Sequence, residues 1–418
     1  MRTLIEIDQL IDGTGAAPIG EAAILIERDR IVAVERRAEI GRPEGARVVT
    51  APWGTTAIPG LADVHVHLAY SGISHKTAFR AELTELSYPA IALRAAAFAR
   101  ETLRHGFTAL RDMHAPGGTI IDLADSIERG ETPGPRIKAC GHGLSVTGGH
   151  MDQPGFADHV TFRDMTLPCD GPNGFRLGVR TEIKRGAHFI KINSSCSAGE
   201  RPGVWNRQEM TNEEIATACE EAHLWCVRVA AHTVGGESLY NTIRHGVDTV
   251  EHAHFTDERI IGLMVERGTF YVPTLLVNER SFDFTPEEQG VDPMAWRWLN
   301  ASREAKWVTL GAARKAGVRI CCGTDAGYMI PHGTMNWREL QLLVQGGMNS
   351  MEAIVAATAT NHDLLEIDAG RLQAGRLADI VLIDGDPLQD ITVLGDPARL
   401  RVFKGGVEVR FETKSEVA

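Results

Sequence analysis

At 418 residues the chain is too long for a small single-core domain, and its 43% hydrophobic and 23% charged residues are ordinary for a globular protein. A net charge of −12 and a pI near 5.7 argue against a nucleic-acid binder, which needs a basic face to displace counterions. No stretch reaches ~18 consecutive apolar residues, the first residues include Glu6 and Asp8 where a signal peptide needs its apolar core, and the seven cysteines form no Cys-x-x-Cys pair; a cytoplasmic protein with reduced thiols and no membrane contact is expected.

Residues 1–56 read as short strands and turns with no helical period: 4–10, then Asp12-Gly13-Thr14-Gly15, a hairpin over 22–35 around Arg28-Asp29-Arg30, and 47–50. Such a unit has too little core to stand alone. Residues 367–418 supply further strands at 377–384 and in a hairpin around Lys404-Gly405-Gly406. The two ends are expected to meet in one small β-sandwich; two separate β appendages are the alternative.

Between them, residues 57–366 alternate strand and helix. Strands are expected at 61–67, 107–112, 136–141, 189–193, 226–232, 249–252, 269–274 and 319–324. Helices at 87–105, 120–129, 174–185, 237–245, 257–267 and 301–316 each meet a glycine one residue on (Gly106, Gly130, Gly186, Gly246, Gly268, Gly317), the usual C-terminal stop; another is expected at 212–225. Strand–helix units repeated in this way predict an α/β fold, a parallel (β/α)8 barrel. An open doubly wound sheet is the alternative, but its Gly-x-Gly-x-x-Gly phosphate loop does not occur.

In such a barrel the chemistry sits at the C-terminal strand ends. Strand one ends in His65-Val66-His67, whose period of two sends both imidazoles to one side. Strand four carries Lys191 inside Phe189-Ile190-Lys191-Ile192; an ammonium there is costly, so its pKa is expected to fall and leave a neutral nucleophile. Strand five ends in His232, strand six in Glu251-His252 and strand eight in Thr324-Asp325. Singly, each has a bland reading: a loop pair, a paired lysine, core histidines, a helix cap. Together at one end of one barrel they point to a metal centre.

These residues, with the stretches 56–67, Gly323-Thr324-Asp325-Ala326-Gly327 and 375–381, resemble the amidohydrolase superfamily over nearly the whole chain. The resemblance implies two divalent cations, zinc suiting the mixed donors: His65, His67 and Asp325 on one, His232 and His252 on the other, and Lys191, carboxylated by carbon dioxide or bicarbonate, bridging both. It implies an activated water as nucleophile and Asp325 as general base, then acid. Thr147-Gly148-Gly149-His150, Tyr271-Val272-Pro273-Thr274 and 348–353 are similar to the imidazolonepropionase-related branch of prolidase-like and Xaa-Arg carboxypeptidase-like dipeptidases and ochratoxin-type amidases. That branch implies cleavage of an amide next to a free carboxylate. Thr233-Val234-Gly235-Gly236 departs from the branch after His232. A hydrolase of a cyclic amide, carbamate or other C–N bond is the alternative.

By position in the family, His142 at the end of strand three is the expected substrate-facing and catalytic histidine; His150, in the Gly-rich loop that follows, and His254, two residues past His252 on the same face, are further substrate-binding candidates. Loops 143–172, 194–210 and 278–293 are expected to carry specificity as lids or binding loops, with Arg201 or Arg207 meeting a substrate carboxylate. A homo-oligomer acting on a small molecule is expected.

Overall fold

The computed structural model describes residues 2–152, 157, 159, 166–196 and 206–411. Both ends of the chain build one eight-stranded sheet. Arg2–Leu10, Ile19–Glu27, Arg30–Arg36, Arg47–Thr50 and Thr55–Pro59 come from the beginning; Ile380–Asp384, Leu400–Lys404 and Val407–Glu408 come from the end. The two contributions join where Ile380–Asp384 runs antiparallel to Thr55–Pro59, Ile380 opposite Pro59. Ile5, Ile7, Leu10, Ile24, Ile380 and Phe403 pack as one apolar cluster, so neither end buries its side chains without the other.

Gly60 then turns the chain directly into the first parallel strand; a Cβ there would collide with the Thr108 side chain. Parallel strands form two ladders. Leu61–Val66, Phe107–Asp112 and Arg136–Ala139 make one. The other holds Thr166–Pro168, Gly143–Ser145, Ile190–Asn193, Val229–Gly235, Thr249–Phe255, Phe270–Val272 and Arg319–Ile320. Main-chain bonds run between them at both seams. Val64 N donates to Cys322 O (3.1 Å), His67 N to Ala326 O (2.7 Å), and His188 N to Ala139 O (2.8 Å). The strands are buried and apolar with helices between them, a mixed α/β fold of the TIM-barrel type.

Most helices lie where expected. Tyr88–Arg104 carries its proline in the first turn, and Asn212–Leu224 opens on a Thr211/Glu214 capping box. Two expectations are corrected. Residues 278–293 are not an open loop: Leu275–Arg280 and Pro286–Gln289 are helical, and Pro293–Ala316 starts well before residue 301 because Asp292 caps its first backbone N–H groups. Strand three stops at Ala139 instead of Gly141, because Gly141 takes φ +74° against the Glu182 carboxylate and turns the chain. The Arg136 guanidinium meets the fully buried Asp379 carboxylate at 2.9 and 3.2 Å, fastening the parallel strands to the terminal sheet.

Candidate active site

Register places the polar side chains at one end of the parallel strands. Asn193 lies opposite His232, and His232 opposite Glu251, so the residues that follow these strands converge. His65, His67, Lys191, His232, His252 and Asp325 all line one cavity of about 200 Å³. His65, His67 and Asp325 offer ligand atoms within 4.8 Å of one another. His67 Nε2 is 2.9 Å and His65 Nε2 3.4 Å from Asp325 Oδ1. The His65 ring is 5.2 Å from that of His252, which is 4.7 Å from that of His232.

Two of the rings are anchored through Nδ1 by a partner on another strand or turn. His65 Nδ1 is 2.8 Å from Glu251 Oε2, and His252 Nδ1 is 2.8 Å from Thr274 Oγ1. His232 Nε2 and His67 Nδ1 are buried and have no hydrogen-bond partner. Imidazoles anchored through one nitrogen, beside imidazoles with an unpartnered buried nitrogen, are donors of the kind a divalent cation takes. The residues present therefore fit a metal.

Charge and burial agree. Burial drives the Lys191 ammonium down to about 8, against the pull of Glu251. Burial, and then the neighbouring His150 and His252, take His232 well below the ordinary histidine value, so its ring is neutral. Burial would raise the Asp325 carboxyl, but His65 and His67 outweigh it and hold it well below the usual range. The backbone is strained here too: His252 (φ +71°), Ala253 (+42°), Thr274 (+47°) and Asp325 (+65°) sit in the left-handed region, at a cost on the order of 1–3 kcal/mol each.

The substrate-side expectations divide. His150 and His254 line the cavity; the His150 ring stacks on His232 at 3.9 Å, and burial takes His254 down to about 3. His142 does not line it. Its Nδ1 is 3.0 Å from Glu182 Oε1 and 2.8 Å from Arg185 Nη1, and its Nε2 accepts from Gly117 N at 3.4 Å. The turn at Gly141 sends it outward, so the catalytic histidine expected at the end of strand three is a buried network residue instead. Arg207 is exposed and away from the cavity, and Arg201 lies outside the described residues.

The residue in the place intended for His142 is His114, just past Phe107–Asp112. Both its ring nitrogens are buried without a partner, it lines the cavity, and its ring is 4.4 Å from that of His67. Like His232 and His252, it sits at the C-terminal end of a parallel strand. Two residues before it, burial pushes the Asp112 carboxyl up to about 8, against one backbone N–H from Leu68 (2.7 Å). A raised folded pKa means that the protonated form favours the native state. That stability is complete below the unfolded value of about 4 and is gone once pH passes about 8. Asp112→Asn carries a neutral amide at every pH. It is expected to match the wild type near pH 4 and to gain on it up to pH 8, reaching on the order of 2–5 kcal/mol. Urea unfolding across that range checks this; a pH-independent difference refutes it.

The parallel strands thus gather imidazole, lysine and carboxylate side chains at one end of the fold. A profile of the amidohydrolase family matches residues 56–409, and the chain belongs to that family. It is accordingly a hydrolase acting on C–N bonds, in a family whose members are generally metal-dependent. The chain is 30% identical to ochratoxinase of Aspergillus niger, over 97% of this chain and 86% of that protein. It is 26% identical to imidazolonepropionase of Acidiphilium cryptum, over 94% and 95%. A crystal structure of a Xaa-Pro dipeptidase with methionine bound superposes with a TM-score of 0.87 at 30% identity, covering 98% of this chain and all of that one.

Proposed function

We propose that the chain is a binuclear-metal amidohydrolase that cleaves an amide bond next to a free carboxylate, as a dipeptidase, carboxypeptidase or N-acyl amino acid amidase. One observation carries this reading: six metal-type side chains line a single cavity, and buried nitrogens of His67 and His232 there have no hydrogen-bond partner. His65, His67 and Asp325 would hold one ion and His232 and His252 the other. Lys191, with its ammonium lowered to about 8, has a neutral fraction that carbon dioxide could capture as a carbamate, with release of a proton, and would then add an anionic donor for the ions. Zinc suits imidazole, carbamate and carboxylate together. When bound, the ions supply an acidified water and an electrophile for the carbonyl oxygen. Asp325 stays ionised under the pull of His65 and His67, takes a proton from the attacking water and passes it to the leaving nitrogen. His114, His150 and His254 face the substrate. The ochratoxinase and dipeptidase likenesses support an amide substrate.

The same reading closes the parallel strands of residues 57–366 into a (β/α)8 barrel and makes residues 1–56 and 367–418 a β-sandwich domain. The protein is a cytoplasmic homo-oligomer acting on a small molecule and on neither nucleic acid nor membrane; among the described residues no helix is long and apolar enough to cross a membrane.

The test is metal content with a substrate panel. Purification in the presence of zinc is expected to give two metal equivalents per chain, and chelation to lower hydrolysis of the best N-acyl amino acid or dipeptide by ~10²-fold or more. A metal-free yet fully active protein overturns the reading. Turnover of a cyclic amide or carbamate alone transfers the site to that substrate class.

A further inference from the structure

Past the strand Phe270–Val272 the chain turns through Thr274 into Leu275–Arg280. The first helical residue there is held on both sides. Glu339, fully buried on Arg338–Gln345, accepts from Leu275 N at 2.9 Å through Oε1 and from Leu276 N at 2.8 Å through Oε2. Lys306, fully buried on Pro293–Ala316, donates to Leu275 O at 3.3 Å and lies 2.7 Å from Glu279 Oε1. The N–H groups that open a helix have no partner within it, so the Glu339 carboxylate supplies two acceptors to two donors that would otherwise be buried unmatched.

The residue just before this peptide is strained. Thr274 takes φ +47° and ψ 51°, a left-handed conformation that is costly for a β-branched side chain and persists only where its surroundings fix it. Thr274 Oγ1 lies 2.8 Å from His252 Nδ1, and among the described residues it is the hydrogen-bond partner of that ring. The other half of the site is fastened separately. Asp63 accepts from His65 N (3.1 Å), Thr324 N (3.1 Å) and Thr324 Oγ1 (2.6 Å), and His65 Nδ1 meets Glu251. None of those bonds involves the Glu339 carboxylate.

We infer that Glu339 is a positioning residue for one half of the site: by fixing the Thr274 turn it sets the His252 ring, and with it the ion assigned to His232 and His252. The ion assigned to His65, His67 and Asp325 does not depend on it. The inference rests on the binuclear reading and adds to it a residue that touches neither ion.

The experiment titrates the purified proteins with zinc alone, and with cobalt(II) alone, whose visible absorption follows the coordination of each ion. Glu339→Gln keeps the volume but turns an amide N–H toward one of the two backbone donors. Thr274→Val removes only the hydroxyl. Each variant is expected to weaken one zinc equivalent by about 10-fold or more and to leave the other within roughly threefold. The double variant is expected to bind no more weakly than the weaker single one, because both act on His252 in series. Both equivalents unchanged in Glu339→Gln, both weakened alike, or losses that add in the double variant overturn the inference. Where Glu339→Gln does not fold, Glu339→Asp, which sets the carboxylate one methylene short, is read in the same way. A wild type that binds no zinc counts against the binuclear reading instead. Crystal structures of the wild type and the Glu339 variant then decide the link: Thr274 Oγ1 leaving His252 Nδ1 supports it, and a separation still within about 3.2 Å in the variant overturns it.

Discussion

Asp325→Asn is expected to lower kcat/KM by about 10³-fold or more on the best substrate of the panel, with the fold retained. Placed proton transfer contributes on the order of 10²–10⁴ in rate. An amide of the same shape cannot take the proton from water or return it to the leaving nitrogen. Structural disruption is a poor explanation for the loss, for two reasons. Asp325 holds φ +65°, a conformation asparagine adopts as readily as aspartate. Its backbone N–H donates to His65 O at 2.8 Å whatever the side chain. Metal content separates the remaining causes. A variant that keeps its ions but not its activity has lost the proton acceptor; one that loses an ion has lost a ligand beside His65 and His67. An activity within about tenfold of wild type, with ions retained, sinks the assignment of Asp325 as base.

The parts of this site that were legible in the sequence are those that obey local periodicity. His65-Val66-His67 declares a shared face because strand side chains alternate, and Lys191 declares burial because Phe189, Ile190 and Ile192 leave it no water. The glycines that end helices located the parallel strands for the same local reason. What failed was continuity. The apolar pattern carries strand three through Gly141 and aims His142 into the pocket; one residue at φ +74° turns it onto Glu182, and His114 lines the cavity instead. The far wall of the cavity is hidden behind composition: Pro286, Gly290 and Pro293 read as a loop, although Thr285 and Glu288 form the capping box that announces the helix between them. Glu251 was noticed as a strand-end acid, but its partner was not, because Arg111 lies 140 residues away and no local pattern links them.

That partner carries the second large effect: Arg111→Met is expected to destabilise the protein by about 3–5 kcal/mol. Arg111 is buried under the active site. Its Nη2 donates to Glu251 Oε1 at 2.7 Å, its Nε to Val64 O at 2.6 Å and its Nη1 to Thr249 Oγ1 at 3.1 Å. Burial would raise the Glu251 carboxyl, but Arg111 and then His65 hold it well below the usual range, so it is a fixed anion with no water around it. Methionine fills a similar volume and removes every one of those donors. Glu251 must then either stay charged in an apolar strand or take up a proton, and a protonated Glu251 no longer draws His65 Nδ1 into place. The variant is therefore expected to lose metal affinity by about 10–100-fold, beyond its loss of stability. Arg111→Met with Glu251→Gln is expected to recover much of the stability, because no buried charge is left without its partner, and little of the metal affinity, because the anion behind His65 is gone. Denaturant unfolding and metal titration of the three proteins check both halves. A single variant within about 1 kcal/mol of wild type, or a double variant that regains both properties together, shows that the arginine supports neither the strand nor the imidazole.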